Sequence, residues 1–284
     1  MAGAANGAII LISGATSGIG RATALGLAAR GSGLVFLARD RARGEDVATL
    51  ARAAGAASAE VLDCDLSLMA SVSEAVAEFK RRHHRLDVLI NDAAVFLGSR
   101  DVTSEGHERM LATNYLGPFL LTNLLLDRLA AGAPSRVINV TAPATTAPDP
   151  DDLDGERRFS PVRAFGRSKA ANLMFTYALA RRVQARGISV CAYHPGVTRT
   201  PLMKDAPPLM KGIGAVMNLA ARTPERAAKG LMDLALSPVF EGVTGQLLHD
   251  GKPMKASFIY DSEAQERLWS VSERLAGLPF QGPS

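Results

Sequence analysis

The 284-residue chain is predicted to fold as one α/β domain, a doubly wound parallel sheet with helices on both faces. Three observations carry that expectation. Short apolar runs alternate with longer amphipathic ones from the start to about residue 250, as expected of strands covered on both sides by crossover helices. A glycine-rich turn joins the first run to the second. No Pro/Gly/Ser-rich or single-sign charged stretch divides the sequence, so its 47% hydrophobic content serves one core across residues 1–284.

In chain order, the apolar run 8–13 reads as a buried strand and the amphipathic run 19–30 as the helix that follows it. The scheme then repeats, with strands at 33–38, 59–63 and 86–90 and helices at 41–54 and 70–84. The second half has longer helices at 104–129 and 162–186, and strands at 136–141 and 189–193. Two irregular stretches interrupt it: 142–161, rich in Pro and Asp, and 197–222, rich in Met, Pro and Gly with apolar residues throughout. Loops of this length are functional or pack on the sheet edge, and 197–222 is expected to cover a lipophilic substrate.

Composition removes several function classes. The net charge is +4 and the isoelectric point near 9.3, but basic residues are interspersed with acids, so no nucleic-acid partner is expected. The dense cluster Lys80-Arg81-Arg82-His83-His84-Arg85 ends a predicted helix, where cations complement the dipole. Cys64 and Cys191 lie in strand-like runs without metal-ligand spacing, so neither a disulfide nor a metal is expected. No apolar run approaches the roughly 18 residues of a membrane span, and no signal segment is visible. A cytoplasmic protein without membrane insertion is the expectation.

Ser13-Gly14-Ala15-Thr16-Ser17-Gly18-Ile19-Gly20 places glycines at the joint of first strand and first helix. There the backbone must approach a dinucleotide diphosphate, and free N–H groups of the helix end attract it. This is the phosphate turn of a Rossmann-type domain. The second strand ends at Ala38-Arg39-Asp40, where NAD-binding chains carry an acid for the ribose hydroxyls. An arginine there suits a 2'-phosphate, so NADP(H) is the expected cofactor. Asp40 could pair with Arg39 and weaken that preference.

Further segments carry a family resemblance. Asp63-Cys64-Asp65-Leu66 follows the third strand, Asn91-Asp92-Ala93-Ala94 ends the fourth, and His194-Pro195-Gly196-Val197-Thr198-Arg199-Thr200 ends the sixth. With the glycine turn, and with Phe165-Gly166-Arg167-Ser168-Lys169, they resemble the short-chain dehydrogenase/reductases. The run 114–125, Asp151-Asp152-Leu153, Ser168-Lys169-Ala170-Ala171-Asn172 and the stretch 261–273 are similar to the retinol-dehydrogenase-like branch. The resemblance implies a lipophilic carbonyl or alcohol substrate. It implies cofactor contacts from Ser13, Gly14, Thr16, Ser17, Gly18, Ile19, Gly20, Arg39, Asp65, Leu66, Asn91, Ala93, Lys169, Pro195, Gly196, Thr198 and Thr200. Homo-oligomers formed through the long helices are implied as well.

The family's chemistry uses a tyrosine acid, a lysine that lowers its pKa, a carbonyl-orienting serine and an asparagine that holds a relay water. Lys169 and Asn114 match. Phe165 stands at the tyrosine position and Ala142, in Asn139-Val140-Thr141-Ala142, at the serine position. Asn-Asn-Ala-Gly also becomes Asn91-Asp92-Ala93-Ala94. Thr141 is adjacent to Ala142, but strand side chains alternate in direction, so it substitutes only if the strand end shifts. Tyr193, His194, Tyr115 and His107 are other conceivable proton donors; Tyr177 lies some three helical turns beyond Phe165 and is too far. Three readings stay open: an NADP-dependent oxidoreductase needing no tyrosine acid, a non-redox enzyme or binding protein on the same scaffold, or an engineered inactive reductase.

Overall fold

The computed structural model describes residues 7–143, 146–203, 221–256 and 261–278. β1 (Ile9–Ser13), β2 (Gly33–Ala38), β3 (Ser58–Asp63), β4 (Val88–Asn91), β5 (Ser135–Val140), β6 (Ile188–Tyr193), β7 (Gln246–His249) and β8 (Lys252–Met254) form one sheet in the order β3-β2-β1-β4-β5-β6-β7-β8. Every pairing is parallel except β7 with β8. The predicted class holds, with two strands that the apolar pattern did not anticipate, the parallel β7 and the antiparallel edge strand β8. Strand order reverses between β1 and β4, which opens a crevice at the carboxyl ends of those strands.

Helices cover both faces, as the fully buried central strands require. On one face lie α1 (Gly18–Ala28), α2 (Arg41–Ala53) and α8 (Pro224–Leu236), sharing a core of Ile10, Ile12, Phe36, Leu27, Val47 and Leu231. On the other lie α3 (Met69–Arg82), α4 (Arg109–Leu111), α5 (Gly117–Leu124), α6 (Leu126–Ala131), α7 (Pro161–Val183) and α9 (Ser262–Leu275). Gly132 sits where α6 meets the strand layer. A Cβ there would lie 2.3 Å from the Leu86 carbonyl oxygen, so no side chain fits.

The helix expected at 104–129 is broken. Residues 102–108 turn back on themselves, with Thr103 N–H bonded to the His107 carbonyl (2.9 Å) and Gly106 at φ +89. Glu108 then caps α4 by accepting from Met110 and Leu111 N–H at 3.0 and 2.8 Å. A π turn at Ala112–Leu116 separates α4 from α5.

α9 lies against α7 and α5 through Trp269, whose ring is 5.0 Å from Phe119 and 5.7 Å from Phe175. The Arg182 guanidinium stacks 4.0 Å above the indole, and the indole N–H donates to Glu273 at 2.8 Å. Among the described residues no helix is long and apolar enough to cross a membrane. Replacing Trp269 by alanine deletes the contacts that hold α9 in place. We expect a loss of about 3–5 kcal/mol in stability, measured by chemical denaturation followed by circular dichroism.

Candidate functional site

The crevice between β1 and β4 is built by backbone. Gly14 has φ +80, and a Cβ on it would lie 2.7 Å from the Ala93 nitrogen; a Cβ on Gly20 would lie 2.3 Å from the Gly14 oxygen. Glycine is therefore demanded at both positions. The Ser13 hydroxyl accepts from Ala93 N–H at 3.3 Å, fastening the turn to the end of β4. Ser17 opens α1 with no side-chain cap, and the first turn contains no acid. The free N–H groups beside the bare backbone around Thr16, Gly18 and Ile19 fit an incoming diphosphate. Thr200 reaches the same turn from the β6 side, its Cγ2 3.0 Å from a Cβ placed on Gly18.

At the end of β2, Arg39 is exposed. The Asp40 carboxylate caps α2 by accepting from Arg43 N–H at 3.2 Å. That cap sets Arg43 in the first turn, from which its guanidinium donates to the Thr16 carbonyl (3.3 Å). Arg39 and Arg43 thus both lie where β2 leads into α2, and Arg43 is a residue the sequence reading did not single out. The signal was present, since Asp before a helical run marks an N-cap and puts Arg43 three positions on. A cleft of about 510 Å³ lined by Thr16, Arg21, Arg43 and Val47 opens beside them. Asp65 folds back to accept from the Ser67 N–H and hydroxyl at 2.9 and 2.8 Å. Leu66, beside it, is buried.

The Asn91 side chain lies in the core, donating to Asn139 at 2.8 Å and Thr122 at 3.1 Å, and braces β4 against β5.

Asn114 sits inside the π turn and is buried. Its carboxamide accepts from Val95 N–H (2.8 Å) and donates to the Val95 carbonyl (3.0 Å) and to Ser168 Oγ (3.1 Å). Its backbone carbonyl accepts from Asn172 at 3.0 Å. The π turn thereby presents Asn114 to both the β4 loop and α7. Lys169, one helical turn after Phe165, is also buried and donates from Nζ to the Val140 carbonyl (3.3 Å). Its ammonium lies 5.7 Å from the centre of the Phe165 ring. Phe165 packs in turn on Phe96 at 5.5 Å, giving the crevice an apolar wall.

Burial lowers the Lys169 ammonium to about 8, with nearby Asp92 acting in the other direction. Burial also raises the Asp92 carboxyl to about 7, against the Lys169 charge and a hydrogen bond from Gly20 N–H. Both shifts have one cause: a charge costs more away from water.

Thr141 follows the last residue of β5. Its hydroxyl is buried and donates to the Lys169 carbonyl (3.0 Å), fixing β5 to α7. The other conceivable donors are engaged elsewhere. Tyr115 shares a hydrogen bond with Ser272 of α9 (2.6 Å), Tyr193 donates to the Ala227 carbonyl (2.8 Å), and His107 lies 3.2 Å from the Leu275 carbonyl. His194 stacks on His249 at 5.1 Å, and burial lowers its pKa. Pro195 is buried and Gly196 has φ +75. Thr198, whose hydroxyl donates to the Gly196 carbonyl (3.1 Å), completes the turn that leads to Thr200. Of the expected substrate-covering stretch 197–222, residues 204–220 lie outside the described residues.

A short chain dehydrogenase family model matches residues 8–210. Retinol dehydrogenase 14 from Homo sapiens is 36% identical, covering 97% of this chain and 88% of its own. Polyprenol dehydrogenase from Mus musculus is 37% identical, covering 95% and 84%. Among solved structures, an uncharacterized protein from Mycobacterium paratuberculosis superposes with a TM-score of 0.77 at 30% identity, covering 96% of this chain and 95% of its own. The RhlG/NADP complex of Pseudomonas aeruginosa gives 0.69 at 25%, covering 87% and 96%. Phosphate turn, strand reversal and relatives aligned over nearly the whole chain have one common explanation: this protein belongs to the short-chain dehydrogenase family.

Proposed function

We propose that the protein binds NADP(H) and acts on a small lipophilic alcohol or carbonyl compound, by chemistry that does not use a tyrosine acid. The carrying observation is the contrast between the two halves of the crevice. The cofactor half keeps the glycine turn, the uncapped α1 and buried Lys169, with Arg39 and Arg43 at its ribose end. In the half facing substrate, Phe165 and Phe96 pack together where a hydroxyl would stand, and Thr141 is tied to α7. Bound NADP(H) would supply a hydride donor or acceptor. The backbone of the turn would hold its diphosphate, the arginines its 2'-phosphate, and Lys169 its nicotinamide ribose. The apolar wall favours a lipophilic ligand and excludes water. A cytoplasmic location belongs to the same proposal.

Phe165 and Ala142 favour a second reading, in which the scaffold performs non-redox work such as cyclisation, isomerisation or dehydration by holding a substrate in a reactive conformer. Losing a positioned acid typically costs about 10²- to 10⁴-fold, and losing an oxyanion donor about 10²- to 10³-fold.

Calorimetry is expected to show NADPH binding at micromolar affinity or better and in preference to NADH. Replacing Arg39 and Arg43 together by alanine should weaken NADPH roughly tenfold or more while leaving NADH unchanged. Preference for NADH in the native chain would overturn the cofactor reading. Against lipophilic aldehydes and ketones, the native chain should consume almost no NADPH, whereas Phe165→Tyr with Ala142→Ser should gain on the order of 10²-fold. Robust native turnover would reveal another acid. A native chain that converts its substrate without consuming cofactor would establish the non-redox alternative.

A further inference from the structure

Asp92 puts a carboxyl group against the first turn of α1. It follows β4 directly, and its Oδ2 lies 2.6 Å from the position of a Cβ on Gly20, inside the first turn of α1. It accepts a hydrogen bond from the Gly20 N–H, one of the donors that the open end of α1 offers to an anion. Among the described residues, the charged group facing it from α7 is Lys169; α1 contributes the Gly20 N–H, and the turn after β1 contributes the Gly14 backbone. The family pattern has an asparagine here, a side chain with the same acceptor oxygen and no charge. This chain keeps the acceptor and adds an ionisable proton.

A diphosphate seated on the same helix end would bring further negative charge next to this carboxylate. Two arrangements satisfy the electrostatics: the cofactor is repelled, or the carboxylate becomes a neutral acid. The neutral acid keeps a carbonyl oxygen for Gly20 N–H, so protonation leaves the packing of the turn intact. Lys169, itself reluctant to stay charged when buried, favours the carboxylate, while burial acts the other way and pushes the Asp92 carboxyl up to about 7.

Building on the NADP(H) reading, we propose that Asp92 is a proton-linked positioning residue of the cofactor site, taking one proton from solvent onto its carboxylate as the diphosphate seats on α1. The sign follows directly. Above about pH 7 the free chain holds Asp92 as a carboxylate, so cofactor binding must draw a proton and weakens as pH rises. Below it, the acid is already neutral and binding is insensitive to this group.

The test uses the full-length chain and NADPH at about pH 8.5. Infrared difference spectra of bound minus free protein should gain a protonated-carboxyl C=O band that is absent from Asp92→Asn. At the same pH the asparagine variant should bind NADPH on the order of tenfold tighter than the native chain, and at about pH 6 the two should bind roughly equally. Native binding without a carboxyl band, or a band that persists in Asp92→Asn, overturns the proposal and leaves the cofactor reading standing. If neither chain binds NADPH at either pH, the cofactor reading falls and this inference with it. A purely structural role for Asp92 would change affinity equally at both pH values and give no band, which also overturns it.

Discussion

A run of buried hydrogen bonds between amides and hydroxyls holds the crevice in shape. Asn91 on β4 donates to Asn139 on β5, Asn139 donates to Thr176 on α7 (2.9 Å), and Asn172 one turn earlier donates to the Asn114 carbonyl in the π turn. Four separate pieces of chain are fixed to one another by groups that have no access to water. In a medium of low polarity each bond is strong and each loose end costly, so the arrangement has few alternatives. Asn114 is tied to it through Asn172, and Lys169 is held against β5 by its own bonds to Val140 and Thr141.

The same frame explains why the two halves of the crevice differ. The cofactor half depends on backbone: absent side chains at Gly14 and Gly20, and an α1 N-terminus that Ser17 does not cap. Such a surface tolerates change in nearby side chains, because little of it consists of side chains. The other half is lined by individual side chains, Phe165 among them. Its ring is accommodated between Phe96 and the Lys169 ammonium without disturbing α7.

Most of the layered architecture was legible from the sequence, because burial on both faces produces apolar strand runs whatever the surrounding topology. The glycine turn was legible for a related reason: close backbone contact excludes every side chain, so the requirement appears as glycine in the sequence. The 104–129 helix was misread because its apolar content continues through the π turn, while the break comes from Gly106, the Glu108 cap and the demands of Asn114, all local or tertiary hydrogen-bond effects. Strand β8 was not anticipated because a short edge strand buries little and leaves no apolar pattern.

By itself the sequence determined the fold class, the phosphate turn and the identities of Phe165, Lys169 and Asp92, because these follow from residue type and spacing along the chain. Only the tertiary structure decided where side-chain polar atoms point. It turned Asn91 into the core, tied Thr141 to α7, brought Arg43 onto the Thr16 carbonyl and aimed Asp92 at the first turn of α1. Those directions depend on partners dozens of residues away, and hydrogen bonds are short and angular enough that no local pattern records them.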